Sequence, residues 1–196
     1  MENRLPMASH TATSAVASGM REAGVVVAGT ALVAVCSHIS LPLWFTPVPL
    51  TLQPFAVLLL GLVLSPRLAA ATLGAYLLEG AAGLPVFAPG FALGAGMAHL
   101  LGPTGGYLMS YPVAAALVSW VRRQTSRGFA GAVLSAASGN AMILLCGFVW
   151  LAMWTHAAIA SAFALAVLPF LPGDALKVVA AAGIVAGLDR FKRRNQ

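Results

Sequence analysis

Residues 129–153 read FAGAVLSAASGNAMILLCGFVWLAM, a mostly apolar stretch without Asp, Glu, Lys or Arg. About 20 consecutive apolar residues are enough for an α-helix to cross the hydrocarbon core of a bilayer. This stretch therefore predicts a membrane-spanning helix, and the rest of the chain can be interpreted outward from it.

The composition of the whole chain agrees with a membrane protein. Of its 196 residues, 60% are apolar and 8% are charged, and the mean hydropathy is +0.89. A soluble domain carries about a quarter of its residues as charged side chains. The chain has too few charges to cover a water-facing surface, which excludes an ordinary soluble enzyme and a disordered protein.

Breaks at Gly, Pro and charged residues divide the chain into six predicted spans. Their approximate bounds are 22–38, 51–65, 67–82, 106–121, 129–153 and 174–191. A further apolar segment, 155–168, is predicted to be a short helix within a loop. We therefore predict an all-α, polytopic membrane protein with six transmembrane helices. Residues 1–21 and 192–196 are predicted to be tails that flank a membrane domain, 22–191.

The positive charges predict the orientation. With six spans, ten of the eleven Lys and Arg residues lie on one side of the membrane. They are Arg4, Arg21, Arg67, Arg122, Arg123, Arg127, Arg190, Lys192, Arg193 and Arg194. Because cytoplasmic loops carry the basic excess, both termini are predicted to be cytoplasmic. The net charge of +6 is therefore explained by the orientation of the chain in a cell inner membrane. No nucleic-acid partner is predicted.

The loops predicted on the outer side are long and hold eight of the twelve prolines, together with aromatics such as Trp44 and Phe87. Proline and aromatic residues make rigid, shaped loops. Such loops on one face of the protein indicate that they cover a binding cavity. The alternative is that the aromatics anchor the protein at the lipid interface.

The eleventh basic residue, Lys177, is predicted near the outer end of the sixth span, three residues after Asp174. This spacing places both side chains on one helix face. An ionisable residue within a span is costly and usually faces an interior cavity. The pair therefore indicates a ligand site, or alternatively a plain Asp–Lys pair that caps the helix.

Two other polar residues have open interpretations. Glu79, near the outer end of the third span, can face the same cavity or reach toward the interface. Gln53 can cap the second span together with Thr51, or it can bind a polar ligand. Residues 102–107, Gly-Pro-Thr-Gly-Gly-Tyr, lack the Lys-Ser/Thr of a phosphate-binding loop and predict a tight entry into the fourth span.

No catalytic, metal-binding or ATP-binding motif is recognisable, so neither an enzyme nor a bound cofactor is predicted. Small residues recur on the first span, with Gly24 and Ala28 four apart and Thr30 and Ala34 four apart. Such faces allow close packing, either within this chain or against another membrane protein.

Three stretches together resemble one family. They are PVPLTLQ at 47–53, GLPVF at 83–87 with GPTGGY at 102–107, and PGDALK at 172–177. In this order they resemble the BioY family, the biotin-specific substrate-binding S subunits of energy-coupling factor (ECF) transporters. The resemblance implies a six-helix membrane fold and biotin binding near the outer face. It also implies partners, namely a transmembrane T subunit and two ABC-type ATPases.

Carried onto this sequence, the resemblance supports Gln53, Tyr107, Asp174 and Lys177 as substrate-site candidates. The aromatic residues Trp44 and Phe87, together with Thr104 and Glu79, complete the set of predicted site residues. S subunits of this kind often dock through an Ala-x-x-x-Ala pattern in the first helix. This chain has only the Gly/Ala and Thr/Ala versions, so Gly24, Ala28 and Ala34 are the docking candidates. A stand-alone biotin carrier and an intramembrane enzyme are the alternative functions.

Overall fold

The chain folds into helices joined by structured loops. The computed structural model describes residues 8–89 and 96–195, with side-chain surroundings from residue 18 onward. In chain order the elements are α1 (Ala8–His38), β1 (Ser40–Leu41), β2 (Leu50–Thr51), α2 (Gln53–Val63), α3 (Pro66–Ala81), α4 (Met97–Leu101), α5 (Gly105–Gln124), α6 (Phe129–Thr155), α7 (Ile159–Ala166) and α8 (Leu171–Arg194). The predicted all-α class is confirmed.

Three of the described helices are long and apolar enough to cross a membrane. They are α1, from Ser18 to His38, together with α6 and α8 over their full lengths. Helix α2 is apolar but shorter. The apolar stretch at 129–153 lies within α6, and the predicted loop helix at 155–168 corresponds to α7.

Two helices begin earlier than the sequence breaks predict. Helix α1 starts at Ala8 rather than near residue 22, and α8 starts at Leu171 rather than after Gly173. Pro172 lies in the first turn of α8, where its missing N–H group would have no intrahelical partner in any case. The N–H group of Asp174 donates to the carbonyl of Phe170 at 2.8 Å, so Asp174 already belongs to the first turn.

The connecting segments contain two elements that the sequence does not predict. Strands β1 and β2 form an antiparallel ribbon in which Ser40 pairs with Thr51 and Leu41 with Leu50. Helix α4 lies in the long connection between α3 and α5. Both elements are too short to show a hydrophobic period, which explains why the sequence pattern misses them. The ribbon leads directly into α2 and fixes where that helix begins.

Close packing at glycines holds the helices together. A Cβ atom at Gly61 of α2 would lie 2.7 Å from the Cβ of Val118 and 2.8 Å from the carbonyl oxygen of Ala115 on α5. Gly139 of α6 packs against the same Val118 side chain. No hydrophobic driving force brings helices together in lipid, so their association depends on close packing. Small residues allow this packing because they let the helix backbones approach each other. Helices α2, α5 and α6 therefore form a tight group around which the other helices pack.

Candidate functional site

A cavity of about 320 Å³ opens between the helices and the loops that follow α1, α3 and α7. Its polar or ionisable lining side chains come from four helices, strand β2 and one loop. They are Thr51, Gln53, His99, Thr104, Tyr107, Tyr111, Asp174 and Lys177. Apolar and aromatic residues, among them Phe87, Ile143, Leu144 and Phe170, complete the wall. A concave, mostly apolar wall with a few placed polar groups is typical of a small-molecule site.

An ion pair lies on the α8 wall of the cavity. Lys177 Nζ donates to Asp174 Oδ1 at 2.8 Å, and the two side chains are 9% and 5% exposed. The spacing of three residues on a helix brings the groups together, as the sequence predicts. A lysine ammonium has three N–H donors, and this bond uses one of them. The pair thus offers further donor and acceptor capacity at a nearly dry surface.

A hydrogen-bonded chain positions the amide of Gln53. Its Nε2 donates to the hydroxyl of Tyr76 at 2.5 Å, and that hydroxyl donates to the carbonyl of Val86 at 2.7 Å. On the other side, Thr51 Oγ1 donates to Gln53 Oε1 at 3.5 Å. The chain ties the start of α2 to α3 and to the loop that carries Phe87. It orients the amide and couples it to the position of that loop.

Aromatic rings form much of the remaining wall. The buried ring of Phe87 packs edge-on against Tyr76, with centroids 5.5 Å apart, and lies directly against Gly80. The hydroxyl of Tyr107 donates to the carbonyl of Ala166 at 2.7 Å, and its ring lies against Gly147. At each position the glycine, which has no side chain, leaves the space that the aromatic ring occupies.

The structure brings six of the eight predicted site residues to this one cavity. They are Gln53, Phe87, Thr104, Tyr107, Asp174 and Lys177. Trp44 and Glu79 are not among the lining residues. Trp44 is 94% exposed and packs against Phe45, and Glu79 is half-buried on α3. We therefore leave both out of the proposed site, because neither is among the residues that line the cavity.

Several contributors are not among the site residues predicted from the sequence. Tyr76 orients Gln53, and Tyr111, His99 and Phe170 line the wall. Tyr111 follows Tyr107 by four residues, so helical spacing from a motif residue was a usable signal. His99 had no such signal, because it reaches the cavity through the short α4 segment.

The docking candidates do not share one face of α1. Gly24 and Ala28 are exposed, and a Cβ atom at Gly24 would meet nothing within 4 Å. Ala34 is half-buried and packs against the hydrophobic core. Gly24 and Ala28 are therefore the more accessible of the three candidates.

The fold and the cavity together define a multi-pass membrane protein with a candidate site for a small molecule that has both polar and apolar parts. The model of the BioY family matches residues 7–194, and the chain belongs to that family.

Named relatives agree with this assignment. A probable biotin transporter BioY of Pyrococcus horikoshii is 40% identical over 82% of this chain and 91% of its own length. The biotin transporter BioY of Thermotoga maritima is 37% identical over 83% of this chain and 92% of its own. A solved structure, described as the S-component for biotin from an ECF-type ABC transporter, superimposes with a TM-score of 0.79. It is 25% identical and covers 88% of this chain and 93% of the other.

Proposed function

We propose that this chain is a biotin-binding S component that takes up biotin together with an ECF-type ATPase module, and that it is not an enzyme. The observation that carries the proposal is the buried Asp174–Lys177 pair on the wall of an otherwise largely apolar cavity. The family, and relatives named as biotin transporters, support biotin as the ligand.

The chemistry of biotin suits this cavity. Biotin has a ureido ring with two N–H donors and one carbonyl, an apolar thiophane ring and a carboxylate on an aliphatic chain. The carboxylate of Asp174 can accept from a ureido N–H group, and the ammonium of Lys177 can donate to an oxygen. Phe87, Tyr107 and Phe170 offer apolar surface to the ring system.

The energy for uptake is proposed to come from partner subunits. The chain shows no ATP-binding motif, and the similar solved structure is described as a component of an ECF-type ABC transporter. A transmembrane T subunit and two ABC-type ATPases are the expected partners. The test is uptake of labelled biotin by cells that lack their own transporter. We expect uptake when this chain is expressed with such a module. Equal uptake without the module would favour a stand-alone carrier.

We place the docking surface for the T subunit on the exposed face of α1. The double variant Gly24→Leu/Ala28→Leu is expected to reduce co-purification of the T subunit at least tenfold while biotin affinity stays within twofold. Branched side chains would force two closely packed helices apart. A pull-down with tagged T subunit, together with equilibrium biotin binding, measures both quantities.

The matched control for docking is Gly183→Leu/Gly187→Leu on α8. These glycines have the same spacing of four residues, and a Cβ atom at either would meet nothing within 4 Å. The control should assemble normally. If the control and the α1 variant lose the partner equally, or if the α1 variant keeps it, the surface lies elsewhere.

We also propose that α1, α2, α3, α5, α6 and α8 are the six spans and that both termini are cytoplasmic. Helix α2 has 11 residues, or about 16 Å at 1.5 Å per residue, so the bilayer would have to thin around it. An ion pair of 2.8 Å joins Arg122 to Asp189, and Arg193 donates to the carbonyl of Arg127. These contacts support a single basic end of the bundle, opposite the cavity loops, that faces the anionic lipid of an inner membrane.

Single-cysteine labelling tests this orientation after Cys36 and Cys146 have been replaced. A membrane-impermeant maleimide applied to intact cells should label Trp44→Cys and Ala160→Cys. It should label Arg67→Cys and Arg123→Cys only after lysis. All four positions are exposed in the structure. Labelling of position 67 or 123 in intact cells would contradict the proposed topology.

A further inference from the structure

Arginine side chains from two helices hold the turn between α5 and α6. Arg122, in the last turn of α5, donates to the carbonyl of Ser126 at 2.8 Å and forms an ion pair of 2.8 Å with Asp189 of α8. From the end of α8, Arg193 donates to the carbonyl of Arg127 at 3.1 Å. The turn, the end of α5 and the end of α8 are therefore joined at one place.

Positive charge exceeds negative charge at this place. Asp189 pairs with Arg122, whereas the side chains of Arg123 and Arg127 form no ion pair or hydrogen bond with the residues that the structure describes. Arg193 uses only one of its five N–H donors on the turn. All three of these arginines are exposed. An anion that binds here interacts with several positive charges at once.

Exposed aromatic residues beside these arginines indicate that the place lies at a lipid boundary. Trp120 precedes Arg123 by three residues, so the two share one face of α5. Phe129 begins α6 directly after the turn, and Phe191 lies in the last turn of α8. All three aromatic side chains are exposed. Aromatic and basic residues at the ends of membrane helices are typical of the headgroup level of a bilayer.

A phospholipid fits both the charge and the aromatic side chains. Phosphate oxygens accept hydrogen bonds from the planar guanidinium group of arginine in a favourable geometry. The acyl chains of the same molecule would cover the exposed aromatic rings. An acidic surface of a partner protein would satisfy the arginines but would not account for the exposed rings beside them.

We propose that the α5–α6 turn and the end of α8 form a binding site for the headgroup of an anionic phospholipid. Arg123, Arg127 and Arg193 donate to its phosphate group, and its acyl chains lie along the aromatic side chains at this end of the bundle. The bound lipid joins α8 to α5 and α6 and stabilises the end of the bundle opposite the cavity. The inference does not depend on which molecule occupies the cavity.

The test uses the variant Arg123→Gln/Arg127→Gln. It removes two charges and no internal contact, because neither side chain bonds to the described residues. Native mass spectrometry of the full-length protein in detergent, titrated with phosphatidylglycerol, counts the bound lipid. We expect the variant to bind phosphatidylglycerol about tenfold to thirtyfold more weakly, since each basic residue near an anionic membrane surface contributes about a fivefold change. Phosphatidylcholine with the same acyl chains has no net charge and should bind both proteins weakly.

The matched control is Arg21→Gln/Arg67→Gln. These arginines are exposed on α1 and α3, on the same predicted side of the membrane, and the change removes the same charge. The control should bind phosphatidylglycerol like the unaltered protein. Equal losses in the two double variants would show a general attraction between a basic protein and anionic lipid, and would overturn the site. Equal binding of the two lipids, or binding of inorganic phosphate as tight as that of phosphatidylglycerol, would also overturn it.

Thermal unfolding provides a second measurement on the same proteins. Phosphatidylglycerol should raise the melting temperature of the unaltered protein and of the control more than that of Arg123→Gln/Arg127→Gln. The variant could instead bind phosphatidylglycerol normally and lose co-purification of the T subunit. That result would assign the arginines to an acidic protein surface and contradict the proposal.

Discussion

Neutralising either member of the α8 ion pair is expected to weaken biotin binding by roughly tenfold to a few hundredfold. Hydrogen bonds to charged groups contribute about 1.5–3 kcal/mol each, and about 1.4 kcal/mol corresponds to a tenfold change in affinity. The variants are Asp174→Asn and Lys177→Met. Both side chains are almost fully buried, so each bond to the ligand forms away from water. Equilibrium binding of labelled biotin to the purified variants measures the effect.

The double variant separates ligand binding from a purely structural pair. If Asp174 and Lys177 serve only each other, each single change leaves one buried charge unpaired and lowers the melting temperature. The double neutral variant would then recover stability and bind biotin normally. We expect the opposite for affinity, with the double variant at least as weak as either single variant. A stable double variant with unaltered affinity would contradict a role of the pair in binding.

Removing the ring of Phe87 is expected to be the most destabilising change at the site. Phe87 is 6% exposed, and its ring packs on Tyr76, Gly80 and His99. Replacing a buried Phe by Ala costs about 3–5 kcal/mol, because apolar contact is lost and a cavity remains. Phe87→Ala should therefore lower the melting temperature and weaken biotin binding, whereas Phe87→Leu should do both to a smaller extent. Thermal unfolding in detergent, with and without biotin, measures the change.

Gly80 provides the control for this interpretation. A Cβ atom at Gly80 would overlap the ring of Phe87. Gly80→Ala should therefore destabilise the unaltered protein and have little effect when Phe87 is already Ala. Contacting residues show such non-additive effects, and distant residues do not. Additive effects of the two changes on stability would show that the ring does not contact Gly80. They would contradict the explanation given for the loss of stability expected in Phe87→Ala.

Part of the site can be predicted from the sequence, because ionisable residues are rare within membrane-spanning segments. Lys177 is the one basic residue outside the cytoplasmic group in the six-span prediction, and Asp174 lies three residues before it. Helical spacing then brings the two together, and the structure shows the pair. Residues 129–153 similarly predict α6, because a long apolar run has few other structures available to it.

Other parts depend on tertiary contacts that no local pattern reveals. Tyr76 reaches Gln53 across a sequence separation of 23 residues. His99 lines the cavity from α4, a helix of five residues that is too short to show a hydrophobic period in the sequence. Trp44 was predicted as a site residue and does not line the cavity, because an aromatic side chain in a loop can face either the cavity or the surroundings. Local composition does not distinguish these two orientations. In the structure the side chain of Trp44 is exposed.

The most direct test of the proposal is equilibrium binding of labelled biotin to the purified, unaltered chain in detergent, without any partner subunit. We expect saturable binding of one biotin per chain, displaced by unlabelled biotin, because every residue of the proposed site belongs to this chain. A purified protein that keeps its cooperative thermal unfolding and yet shows no saturable biotin binding would contradict the account.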